Sequence, residues 1–139
     1  MRLINATYQS MKQIYAYVDG SDLDGIEHML VERFEAFAAS WSGGAARVVN
    51  DKFPRTADLR EADLPDWNIG LNFPAASLSV QRLDELLTFL SRVAADTDQE
   101  FIIGEWVLER GISEDLAFIG SEVRQESVQF LREQLGITP

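Results

Sequence analysis

Trp67-Asn68-Ile69-Gly70-Leu71-Asn72-Phe73 alternates without a break, with large apolar side chains at 67, 69, 71 and 73 and small or polar ones at 68, 70 and 72. A period of two is the mark of a β-strand whose faces meet different surroundings. One face of 67–73 must therefore lie on a core, while the other, with Asn68, Gly70 and Asn72, suits either solvent or a small polar pocket. Downstream the period changes. Val80, Leu83, Leu87, Leu90 and Ala94 recur at helical spacing over 79–94, with Ser79 placed to cap and Asp84 and Glu85 near the positive end of the helix. Residues 101–109 are apolar and rich in β-formers, and with 115–119 across Gly111 they read as a hairpin. A last helix over 122–135 follows from Val123, Val128, Leu131 and Leu135, and Gly136 and Pro139 close it.

Upstream of the alternating strand, 51–66 reads as an exposed connection with one helical turn around Ala57–Ala62, and 46–50 as a strand. Ile26, Leu30, Phe34, Phe37 and Trp41 form an apolar stripe on a helix over 24–41, stopped by Gly43–Gly44 and started by Asp22 or Asp24 as cap. A strand at 13–18 comes first. The first six elements then run strand–helix–strand–strand–helix–strand, the split pattern of ferredoxin-like α+β sandwiches. Right-handed crossovers place the first two helices on one face of an antiparallel sheet. The fifth strand extends the edge beside the fourth, and the last helix packs nearby. An α+β meander with helices on one face is the competing arrangement.

The chain of 139 residues is one domain by length, with 46% apolar and 25% charged residues, a mix that packs a core rather than staying disordered. The absence of cysteine removes disulfide frameworks, thiolate metal sites and cysteine nucleophiles. Neither an apolar run behind a basic start nor a stretch of membrane-spanning length is seen, and the two lysines cannot furnish a basic membrane-surface helix, so a cytoplasmic protein with no membrane partner is expected. A net charge of −11 disfavours nucleic acid as a partner, since phosphates demand cations.

Catalytic motifs are scarce. His28 is the only histidine, and neither a nucleophile nor a carboxylate is brought to it locally, so a partly exposed helix position explains it. No phosphate loop, dinucleotide fingerprint or nucleophile elbow is present. Gly20-Ser21-Asp22-Leu23-Asp24-Gly25 imitates a calcium loop but puts Gly20 and Val31 at the first and twelfth ligand positions, where carboxylates are needed. Glu105 and Glu109, on one face of a strand, stand about 13 Å apart, too far for a glycosidase pair. No catalytic residue, metal or cofactor is therefore expected. Trp41, Trp67 and Trp106 sit in apolar patterns that core packing explains.

The acidity is concentrated. Residues 19–27 carry Asp19, Asp22, Asp24 and Glu27 and no cation; residues 96–115 carry Asp96, Asp98, Glu100, Glu105, Glu109, Glu114 and Asp115 against Arg110 alone. In the ferredoxin-like order the first strand ends beside the start of the fourth, so the two stretches converge on one end of the sheet. A field of that kind steers a basic partner, although acidic surfaces also serve solubility alone.

A small acidic cysteine-free α+β domain, with WNIGLNFP at 67–74, the helix after it and EFIIGEWVLERGISEDLAFIG at 100–120, resembles in general style the bacterial immunity proteins of polymorphic or contact-dependent toxin systems. The resemblance covers about 67–120 and carries over no individual binding residue. It implies occlusion of a basic toxin, often a nuclease, by an acidic surface. The residues favoured for such a partner-binding surface are Asp22, Asp24, Asp98, Glu105, Glu109, Glu114 and Asp115, with Trp106 as aromatic anchor if its face is exposed. Two other readings stand beside it. One is a small enzyme or ligand-binding domain, using the Asn68/Asn72 face or the cleft beneath the first two helices. The other is a structural protein self-associating through the edge of its fifth strand or its last helix.

Overall fold

A computed structural model describes residues 12–19, 23–41, 45–52, 67–107 and 112–137. In chain order they form β1 (Lys12–Val18), α1 (Glu27–Ala39), β2 (Arg47–Lys52), β3 (Trp67–Pro74), a 3-10 turn (Ala75–Ser77), α2 (Val80–Thr97), β4 (Phe101–Val107), β5 (Ile112–Ile119) and α3 (Gln125–Gln134). The five strands make one antiparallel sheet in the order β2-β3-β1-β4-β5. The first four strands have the ferredoxin-like arrangement, and β5 adds to the edge beside β4.

Alternation decides which face meets the helices. Ile14, Ala16 and Val18 on β1, Ile69, Leu71 and Phe73 on β3, Phe101 and Ile103 on β4, and Ala117 and Ile119 on β5 are buried in one cluster. The same cluster holds Leu30 and Phe34 of α1, Leu83, Leu86, Leu87, Leu90 and Val93 of α2, and Val128 and Leu131 of α3. All three helices therefore share one face of the sheet. At its centre the Phe34 ring meets Phe89 and Phe101 edge-on, with centroids 5.3 Å and 5.8 Å away. Truncating a buried ring of this kind to Ala costs about 3–5 kcal/mol.

The helix ends explain where the elements begin. Ser79 Oγ accepts from the Arg82 backbone N–H at 3.1 Å, an N-cap that starts α2 as expected. The cap expected for α1 is corrected. Ile26 occupies its N-cap position with no side-chain cap, and the Leu23 carbonyl takes the Ile26 and Glu27 N–H groups at 3.0 Å and 2.7 Å instead. That tight backbone turn leaves Asp24 outside the helix. Asp22, Gly43–Gly44, Gly111, Pro139 and the turn at Ala57–Ala62 lie outside the described residues. Trp41 lies just past the end of α1 yet is 3% exposed, its ring against Phe73 and under the Arg82 guanidinium. Val123 precedes α3 and is 36% exposed rather than part of its buried stripe.

Candidate functional site

Two surfaces stand out, and both arise from the register of β1 against its neighbours. The first is the acidic end. β1 runs antiparallel to β4 with Val18 opposite Phe101, and one residue further the Asp19 N–H donates to the Glu100 carbonyl at 2.8 Å. This sets Asp19 against the start of the 96–115 stretch. Asp19, Asp24, Asp98 and Glu100 are all exposed there. Asp98 ends α2 in the left-handed conformation at φ 58°, a position short polar side chains tolerate better than most. Gly120, just after β5, approaches Glu100, so exposed Glu122 and Val123 border the same end. Acids of these two stretches also make contacts: Asp96 takes Arg33 at 2.5 Å and Glu27 takes Asn50 at 2.8 Å.

The second surface is the helix-free face of the sheet. Residues in register form rows across it. Arg47, Asn72, Tyr15, Gly104 and Asp115 make one row spanning all five strands, and Val49, Gly70, Tyr17, Ile102 and Phe118 make the next. Tyr15 and Tyr17 stack with ring centroids 5.1 Å apart. The Tyr15 hydroxyl donates to Asp115 Oδ1, and the Tyr17 hydroxyl to Asn72 Oδ1 at 2.7 Å. Burial, then the neighbouring Asp115 carboxylate, pushes the Tyr15 phenol well above its ordinary range; burial also raises that of Tyr17. Both rings are thus held as neutral donors. A glycine is required under Tyr15, because a Cβ on Gly104 would sit 2.2 Å from its ring. At Gly70 a Cβ would meet the Ala16 carbonyl oxygen at 1.9 Å, so the strands themselves leave no room.

The residues expected to bind a partner divide between these surfaces. Asp24 and Asp98 are at the acidic end. Glu105 and Glu114 face each other across β4 and β5 on the helix side, where Lys12 neutralises Glu105 at 2.9 Å. Asp115 and Trp106 are on the helix-free face, Trp106 being 38% exposed and therefore not a core residue. Asp22 and Glu109 lie outside the described residues. Convergence thus holds for the first part of the 96–115 stretch and fails for its second part, which β4 and β5 carry toward the opposite end of the sheet.

Asp115 departs from Glu114 because successive strand residues face opposite ways; the bulge follows it, between Ile103 and Gly104, where Ala117 and Asp115, two residues apart, face consecutive residues of β4. Tyr15 and Tyr17 were not singled out by sequence, although the alternation Gln13-Ile14-Tyr15-Ala16-Tyr17-Val18 carries the signal. A groove of about 520 Å³ lies on the outer side of α1 and α2 over the stacked Phe37 and Phe89 rings. Its charges are largely paired, through Arg33–Asp96, Arg82–Glu85 at 3.4 Å and Arg132–Asp84 at 3.3 Å. His28 is exposed and beside Glu32 at 2.9 Å. Among the described residues no three or more His, Asp or Glu side chains are grouped to hold a metal ion, and no helix is long and apolar enough to cross a membrane. No family model, curated protein or solved structure matches the chain.

Proposed function

We propose that this chain is a non-catalytic cytoplasmic immunity or inhibitor protein, which binds a basic protein toxin through its acidic end and occludes it. The observation that supports this reading is the Asp19–Glu100 backbone bond, which sets exposed Asp19 beside exposed Glu100 and Asp98, from distant parts of the chain, at one end of the sheet. Gathering like charges costs stability through self-repulsion and raises the encounter rate of a cationic partner. Val123, exposed beside them, supplies an apolar contact of the sort interface centres use.

The test is affinity capture from the source cells at low salt, followed by purification of the captured protein and stopped-flow association. A basic protein that loses its activity at a one-to-one ratio is expected. The double variant Asp19→Lys/Glu100→Lys should slow its association about tenfold or more at low salt and flatten the salt dependence. An association rate and salt slope equal to those of the unaltered chain would overturn the reading.

A further inference from the structure

We infer that the helix-free face of the sheet is a homodimer interface, in which a second copy of this chain packs face to face about a two-fold axis parallel to β1. β1 is the middle strand of five, with β2 and β5 two places to either side. Such an axis lays β2 of one copy over β5 of the other and keeps each row of residues over its own counterpart. The row Arg47–Asn72–Tyr15–Gly104–Asp115 has a cation at one edge and an anion at the other. Under this symmetry Arg47 of each copy faces Asp115 of the other, so two ion pairs form at once. Both residues are exposed, and Arg47 makes no ion pair among the described residues.

Shape follows the same rule. The operation that brings the charges together also puts the exposed Phe118 and Trp106, and the half-buried Ile102, over smaller or flatter residues, while Tyr15 and Tyr17 meet their own counterparts at the axis. Phe118, 55% exposed, lies over Val49, Ile102 over Gly70, and Trp106, from the row Pro74–Gln13–Trp106–Ser113, over Pro74. Large against small in register is how packed layers interdigitate. Self-complementarity of one patch is what a two-fold interface requires. The axis keeps the two copies of β1 parallel, within the range of strand angles that aligned β-sandwich packing uses. The acidic end, where the charge that would oppose association is gathered, lies at the margin of this face rather than within it. The dimer does not depend on the toxin-binding reading, and each can fail without the other.

The test is sedimentation equilibrium of the full chain, from about 1 µM to about 1 mM, at about 0.15 M salt, where exposed charges beyond about 8 Å are screened. The unaltered chain should reach twice its 15.6 kDa mass. Arg47→Asp and Asp115→Arg should each weaken dimerisation at least tenfold. Mixed together, the two variants should form a heterodimer, because each supplies the charge the other lacks. Phe118→Asp should weaken the dimer in the same way without touching the Tyr15–Asp115 bond, with circular dichroism confirming the fold. A chain monomeric throughout, a dimer indifferent to Arg47→Asp and Phe118→Asp, or a mixture that stays monomeric would each overturn the interface.

Discussion

The acidic end and the helix-free face are built from the same strands, yet different forces hold them. On the face, Tyr15 rests on Gly104, Tyr17 is tied to Asn72, and a Cβ at Gly70 would collide with the neighbouring backbone. Position there is fixed by close packing, in which an added methyl group is felt. At the end, the backbone bond between Asp19 and Glu100 continues the β1–β4 pairing, and the exposed carboxylates around it stand in water. Water screens their repulsion and tolerates their motion. A sterically specified surface suits a partner of one shape; a surface defined by charge suits fast capture of a partner of one sign.

The contrast can be broken most forcefully at Gly70. Gly70→Ala forces a Cβ against the Ala16 carbonyl, which belongs to a central strand and cannot swing aside. The expected cost is about 3 kcal/mol or more, read as a loss of the denaturant midpoint. A loss of stability under about 1 kcal/mol would mean the face is far softer than its packing implies.

Next comes Tyr15→Phe, which removes the donor to Asp115 and is expected to cost about 1–2 kcal/mol at neutral pH. The same residue sharpens the comparison through pH. The folded state holds the Tyr15 and Tyr17 protons above their ordinary range, while the unfolded chain releases them near pH 10. Their contribution is therefore complete below about pH 10 and is lost as pH rises above it. Alkaline unfolding followed by circular dichroism should start near that pH, and its slope should lessen in Tyr15→Phe. Phenolate absorbance appearing for all tyrosines before any unfolding would contradict it.

The smallest effect is expected at the acidic end. Glu100→Lys should raise stability by a few tenths of a kcal/mol by relieving repulsion, and the gain should vanish near 1 M salt, where screening acts within about 3 Å. A change as large as that at Gly70 would show that the end is packed rather than solvated.

How much of this was legible beforehand follows the same division. The core face could be read because alternation in 67–73 and the helical stripes of 24–41 and 79–94 each repeat a period that burial enforces. The strand order followed from the order of elements and the handedness of crossovers. The rows across the sheet could not be read, since each depends on the register of four pairings at once. Glu105 looked like a member of an exposed acidic strand face, but its partner Lys12 comes from β1, 93 positions away in the chain. Trp106 sat in an apolar run whose parity alone decides between core and surface.

The bulge in β5 has a consequence for how that strand is spelled. Leu116 stands between Asp115, opposite Gly104, and Ala117, opposite Ile103, and has no counterpart on β4. Odd-numbered residues before it point away from the helices, and odd-numbered residues after it point toward them. The strand thus carries two phases of the same binary code, joined by one extra letter. Deleting that letter would merge the phases into an ordinary ladder with Phe118 and Asp115 still on one face. The chain would lose only the added local twist that such an insertion brings. Leu116 is punctuation in the strand, marking where one phase ends and the other begins.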